Sequence, residues 1–205
     1  MEYIEKAKSL IRDKWFKDHQ IKSIQGEDGF QRIIWGKQDT SMYQIIYTLS
    51  GNMVYITGDV GTAAYSLTCR ATLDNIESHD LWYFTGKLIA SERKKWDFDY
   101  RVAQKAIEER FLSWCDVDKV DDLSEEDNEL YDELIQATID WDDPDTFANQ
   151  GVWTIYHNTN VDWFDSEIAD SVADSGNQLS YSHISYWLGL QMIIEQVKAK
   201  ELQTA

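Results

Sequence analysis

Cysteine and proline are almost missing from this chain. Two of its 205 residues are cysteine, Cys69 and Cys115, far apart and outside any C-x-x-C pattern, and the one proline is Pro144. This excludes a disulfide framework and a cysteine-based zinc motif, so two buried, reduced thiols are expected. No Pro/Gly-rich linker, low-complexity tract or internal repeat interrupts the chain. There is no run of 18 apolar residues, and the opening MEYIEKAKSLIRDKW lacks the apolar stretch of a signal peptide. The expectation is a cytoplasmic protein with no membrane partner. His19, His79, His157 and His183 are widely separated and follow no H-E-x-x-H spacing, so no metal and no cofactor is predicted.

Aromatic residues, by contrast, are abundant: nine Trp, eleven Tyr and seven Phe within a chain that is 43% hydrophobic. Disordered chains are poor in such residues because they cannot offset chain entropy by burial. A globular protein with a substantial core follows.

The most informative shortage is of positive charge. The formal charge is −18, and it is not spread evenly. Residues 1–119 carry 17 Lys and Arg against 18 Asp and Glu, whereas residues 120–197 carry 18 Asp and Glu and no Lys or Arg. Solubility alone does not require that segregation.

Periodicity gives the architecture. Ile4, Ala7, Ile11 and Trp15 recur at helical spacing and predict an amphipathic helix over 2–18. MYQIIYTL (42–49) and MVYIT (53–57) flank Ser50, Gly51 and Asn52, a hairpin signal. FQRIIW (30–35) and AAYSLT (63–68) extend the predicted sheet to three or four antiparallel strands over about 30–68. Val102, Ala103, Ala106, Ile107, Phe111 and Trp114 mark a helix over 98–115, and Val161, Phe164, Ile168 and Val172 a shorter one from about Asp162. ISYWLGLQMII (184–194) is apolar on nearly every side, which predicts a central, buried final helix over 180–200. The fold class is α+β: an N-terminal helix, a small antiparallel sheet and a mainly helical C-terminal part. A single domain over 1–205 is expected, with a division into 1–118 and an acidic helical 119–205 as the alternative.

The stretch DDLSEEDNELYDELIQATIDWDDPD (121–145) contains twelve carboxylates. Ser124 with Asp127 three residues on fits the capping pattern [ST]-x-x-[DE], so a helix should start there. Leu123, Leu130, Leu134, Ala137 and Trp141 gather on one stripe, and Glu125, Glu129, Asp132, Glu133 and Asp140 on the opposite side. Like charges three or four residues apart repel, and Asp140, Asp142, Asp143 and Asp145 meet the negative end of the helix dipole. Something other than helix stability must favour the arrangement. A calcium loop is a poor fit, because position 6 counted from Asp140 is Asp145 rather than Gly and position 12 is Gly151 rather than Glu. The candidate partner-binding set is Asp121, Asp122, Glu125, Glu129, Asp132, Glu133, Asp140, Asp142, Asp143 and Asp145, joined by Glu167, Asp170 and Asp174 from the next acidic helix. Trp163, expected beside those last three, is a candidate anchor, with a ring that covers a neighbouring helix as the alternative.

No catalytic chemistry is legible. TGDVG (57–61) matches neither phosphate-binding glycine pattern and reads as a turn, ERKK (92–95) reads as a solvated loop, and no nucleophile motif occurs. Two readings of the acidic block remain: a solvated charged face, or a fixed array of carboxylates that claims the Lys and Arg a protein uses to hold nucleic acid. Direct nucleic-acid binding by this block would be repelled.

VYITGDVGTAAYSLT (54–68), LWYFTGKL (81–88), WDFD (96–99) and YWLGLQM (186–192) together resemble a family of small acidic proteins of tailed phages and prophages. Most members have no assigned activity, and phage proteins of this size and charge include anti-CRISPR proteins. The resemblance implies a non-enzymatic inhibitor acting in the cytoplasm of an infected bacterium. Its partner would be a basic nucleic-acid-handling defence protein, a CRISPR effector such as Cas9 first among them, since such effectors have positively charged channels. The alternatives are an accessory or regulatory phage protein that binds another phage replication or assembly protein, and, third, an enzyme with an unfamiliar active site.

Overall fold

A computed structural model describes residues 2–27 and 29–204; Met1, Asp28 and Ala205 lie outside the described residues. In chain order it contains α1 (Glu2–Leu10), β1 (Gln20–Glu27), β2 (Phe30–Gly36), β3 (Ile45–Ser50), β4 (Met53–Gly58), β5 (Ala63–Ser66), α2 (Leu73–Glu77), α3 (Leu81–Gly86) and β6 (Leu88–Ser91). There follow β7 (Trp96–Phe98), α4 (Tyr100–Trp114), α5 (Glu125–Asp140), α6 (Pro144–Thr146), α7 (Trp153–Asn158), α8 (Ser166–Ala173), β8 (Asn177–Leu179) and α9 (Tyr181–Thr204). Wider π turns occupy Ile11–Trp15, directly after α1, and Phe147–Val152, between α6 and α7. None of the described helices is long and apolar enough to cross a membrane.

The fold is α+β as expected, but the sheet is larger than predicted. Six antiparallel strands run in the order β1-β2-β3-β4-β5-β6, each paired with its sequence neighbour. β1 was invisible to pattern reading because QIKSIQGE carries no clean apolar alternation, and its residues are mostly exposed or half-buried. β6 is short and follows directly on a helix. The predicted hairpin is present: Ser50 pairs with Met53 across Gly51 and Asn52, and Gly51 takes a φ of +60°, which glycine tolerates at no steric cost. The predicted start of the third strand at Met42 is replaced by a turn, with Tyr43 at a φ of +55°.

The chain divides into two compact units, one formed by residues 1–95 with 179–205 and the other by residues 96–178. The boundaries fall at 95/96 and 178/179 rather than near 118, since α4 packs against α5 and α8. In the first unit β3 alternates buried and half-buried residues, so Ile45, Tyr47 and Leu49 share one covered face, as the two-residue period of a strand dictates. The helix α9 belongs to this unit and contacts α1, α2, α3 and β1. Its first turns are buried nearly all round, with Ile184, Tyr186, Leu188, Leu190 and Ile193 in the core. At Gly189 α9 comes close to the sheet, where a Cβ would collide with the Tyr47 hydroxyl; that hydroxyl donates to the Tyr186 carbonyl at 3.1 Å.

The second unit is helical around an aromatic core. Phe111, Leu130, Leu134, Phe147, Val152, Phe164 and Val172 are buried together, and Trp114, Tyr131, Trp141, Trp153 and Tyr156 pack partly buried around them. β7 pairs with β8 in a separate two-stranded sheet.

Candidate functional site

The helix α5 begins where the capping pattern places it. Ser124 is its N-cap, its hydroxyl oxygen accepting the Asp127 N–H at 3.2 Å and donating to the Asp127 carboxylate at 2.6 Å. Leu130, Leu134 and Ala137 are buried and Leu123 and Trp141 half-buried, which is the predicted stripe. Thr138 adds a polar tie. Its hydroxyl donates to the Ile135 carbonyl at 2.7 Å and accepts from the Gln104 side chain of α4 at 3.0 Å.

Glu125, Glu129, Asp132, Glu133 and Asp140 are all exposed on the opposite side. Among the described residues no Lys or Arg lies within ion-pair distance of any of them. Among the described residues, Asp140 accepts a side-chain hydrogen bond from Gln136 at 2.8 Å, a neutral donor. Three of the unit's four cations are engaged elsewhere: Arg101 lies 3.5 Å from Asp99, Lys105 lies 3.6 Å from Glu109, and Arg110 donates to the Ser171 carbonyl.

The division by contacts is also a division by charge. Residues 96–178 hold 4 Lys and Arg against 23 Asp and Glu, a formal −19, while the remainder holds 15 against 14, a formal +1. The anionic region thus coincides with one compact unit of the fold and begins before α5.

The other predicted carboxylates fall into two groups. Asp121 and Asp122 are exposed on a 3-10 turn just before α5, and Asp142, Asp145, Glu167, Asp170 and Asp174 are exposed as well. Asp143 is half-buried and caps α6, its carboxylate accepting the Asp145 N–H at 3.1 Å, the Thr146 N–H at 3.4 Å and the Thr146 hydroxyl. Capping answers the question posed by DWDDPD: negative charge beyond the C-terminus of α5 sits at the N-terminus of the next helix, where the dipole favours it. Asp165 plays the same part for α8.

Trp163 does not stand in an anionic ridge. It precedes α8, so a helical projection from Asp162 does not apply to it. Its ring lies edge-on to Phe111 with centroids 5.2 Å apart, and its indole N–H donates to the Asp127 carboxylate at 2.7 Å. An amphipathic ring beside an apolar cluster gains more by burying its face and pairing its N–H than by exposure.

Two depressions adjoin α5. One, of about 580 Å³, is lined by Asp132, Glu133, Gln136, Ala137, Asp140 and Trp141 of α5 and its C-cap, and by Gln150, Gly151 and Ile155 opposite. The second, of about 270 Å³, is lined by Glu126, Glu129, Leu130 and Glu133, and by residues 158–161 opposite. Glu133 lines both. The opposite wall, from FANQGVWTIYHN, carried no sequence signal beyond a few apolar residues.

Two constellations in the other unit invite a catalytic reading. The His183 ring, fully buried, has Nδ1 2.8 Å from the Tyr65 hydroxyl and Nε2 3.4 Å from the Ser91 hydroxyl. Nε2 also faces the Arg93 carbonyl at 3.4 Å, which can only accept, so the imidazole hydrogen is placed on Nε2 and Nδ1 accepts from the Tyr65 hydroxyl. A protonated Nε2 is no base for the serine. Burial also holds His183 below its ordinary pKa. Cys69 Sγ lies 3.7 Å from His79 Nε2, a contact whose histidine is likewise held down by burial. No group of three or more His, Cys, Asp or Glu among the described residues is placed to hold a metal ion.

Comparison with family models, with curated proteins and with solved structures finds no match to this chain. The site therefore stands on its own geometry: a structured helical unit in which Glu125, Glu129, Asp132, Glu133 and Asp140 are exposed and have no ion-pair partner among the described residues.

Proposed function

We propose that this protein is a phage-encoded inhibitor of a host nucleic-acid-handling defence protein, acting by presenting carboxylates to a cationic groove that normally holds DNA or RNA. A CRISPR effector such as Cas9 is the first candidate target. One observation supports this reading: the −19 of residues 96–178 is held on a folded scaffold on which Glu125, Glu129, Asp132, Glu133 and Asp140 are exposed and have no ion-pair partner among the described residues. A rigid array of that kind pays little ordering entropy on binding, unlike a disordered acidic tail, and its field speeds encounter with a basic surface. At physiological salt the field reaches about 8 Å, so the contact must be close and salt-sensitive.

The test is competition. Increasing amounts of the protein should displace labelled guide or target nucleic acid from the effector at low salt, with displacement weakening steeply as salt rises. Unchanged nucleic-acid binding at saturating protein counts against the proposal. A pull-down that recovers only phage proteins would favour the accessory-protein alternative.

A further inference from the structure

We infer that the groove along α5 is a docking site for a basic amphipathic segment of the partner, one carrying Lys or Arg beside aliphatic side chains. This rests on the inhibitor reading above and names the element that is bound. Glu126, Glu129, Glu133, Gln136 and Asp140 follow one another at helical spacing, so a single stripe of α5 lines both depressions, which meet at Glu133. From Glu126 to Asp140 the helix rises about 21 Å at about 1.5 Å per residue, the length of a helical segment of about 14 residues.

The lining is not simply acidic. Leu130, Ala137, Trp141, Gly151 and Ile155 give the groove an apolar floor, while its charged groups are all carboxylates and its other polar groups are neutral. At Gly151 an added Cβ would come within 3.2 Å of both the Ala137 methyl and Trp141 Cδ1, so the absence of a side chain there lets the wall stand close to α5 and keeps the floor shallow. A free metal ion or a phosphate does not match such a surface, the first for want of a clustered ligand set and the second by charge. A cationic segment without apolar residues would leave the floor uncovered. Complementarity in both charge and polarity selects the amphipathic basic class, the helix-in-groove mode of recognition.

The experiment uses the intact chain and synthetic peptides. The probe is a helix-forming peptide of about 14 residues, matched to the groove length, with Arg and Lys on one face and Leu and Ile on the other. Its controls are a scrambled peptide of identical composition, an oligo-arginine of equal charge and an amphipathic peptide with Gln in place of the cations. Calorimetry should give the basic amphipathic peptide an affinity at least about tenfold above each control, a difference that a modest apolar contact supplies. Amide shifts should concentrate at Gly151 and Ile155. Gln150→Arg, at an exposed position, should weaken that peptide about tenfold by placing a cation in the groove. Ile155→Gln, with circular dichroism to confirm the fold, should do the same by removing apolar floor. Equal binding of the scrambled and oligo-arginine peptides overturns the groove while leaving the charge-based inhibitor reading intact. Equal binding of the uncharged peptide overturns the choice of occupant, and binding by no cationic peptide overturns both readings.

Discussion

The two units solve opposite electrostatic problems. In the sheet unit, near neutrality, charges are matched locally: Arg12 holds both carboxylate oxygens of Glu195 at 3.0 Å, Lys37 reaches Asp18 and Lys6 reaches Glu2. Its interior carries polar braces such as Tyr47 to the Tyr186 carbonyl and Tyr65 to His183. The helical unit pairs Arg101 with Asp99 and Lys105 with Glu109 but carries 23 Asp and Glu against 4 Lys and Arg, which sets a field of like charge on its surface. Its cohesion comes from aromatic packing beneath that field, with Phe98 and Phe147 at 4.8 Å and Phe111 and Tyr131 at 5.5 Å. Repulsion between exposed carboxylates at helical spacing costs only tenths of a kcal/mol per pair, so a core of this kind offsets it easily. Charge segregation of this sort is affordable in stability and has to be explained by what it meets.

The largest effect should come from the core. Phe147→Ala is expected to destabilise the helical unit by about 3–5 kcal/mol, read by urea unfolding, because a fully buried ring leaves a cavity. If that loss were under about 1 kcal/mol, the aromatic cluster would not be what holds the charged surface together.

Acid separates the units next. Burial holds His19 and His183, both in the sheet unit, below the ordinary 6.5. The unfolded chain therefore takes up protons first, so stability that is full above about pH 6.5 is lost as pH falls from there toward the folded values. Protection factors against hydrogen exchange at β3 and α9, which correct for the intrinsic pH dependence of exchange, should fall across this window. Protection unchanged down to pH 5 would contradict the burial of these rings.

Ser124→Ala removes the hydroxyl that satisfies the Asp127 N–H and should cost about 1 kcal/mol, visible as faster exchange in the first turn of α5. The smallest effect has the opposite sign. Replacing Glu129, Asp132 and Glu133 by Gln, Asn and Gln relieves like-charge pairs and should raise stability by a few tenths of a kcal/mol, with the gain vanishing in high salt. A clear loss would mean that these side chains stabilise the fold.

Much of the charged surface could be read from the chain, because helix periodicity and capping are local. Ser124, the Leu130–Leu134–Ala137 stripe and the carboxylates facing away from it needed only spacing. The Gly51 hairpin was legible for the same reason. Long-range pairing was not: β1 is a polar strand held by its neighbour β2, and nothing within QIKSIQGE marks it. Trp163 was misplaced because its position depends on a contact with Asp127, 36 residues away. Asp143 looked like one more surface charge until the turn that it caps was visible. The far wall of the groove includes a π turn, whose widened spacing breaks the period that pattern reading relies on.

The most decisive comparison is between the intact chain and the Glu129→Gln, Asp132→Asn, Glu133→Gln variant, measured for inhibition of the effector's nucleic-acid binding at matched salt, with unfolding recorded on the same samples. Lost inhibition and a weaker salt dependence, in a variant that is as stable as the parent or slightly more so, is the expected result. Full inhibition by that folded variant would contradict the proposal that this acidic surface is what the target binds.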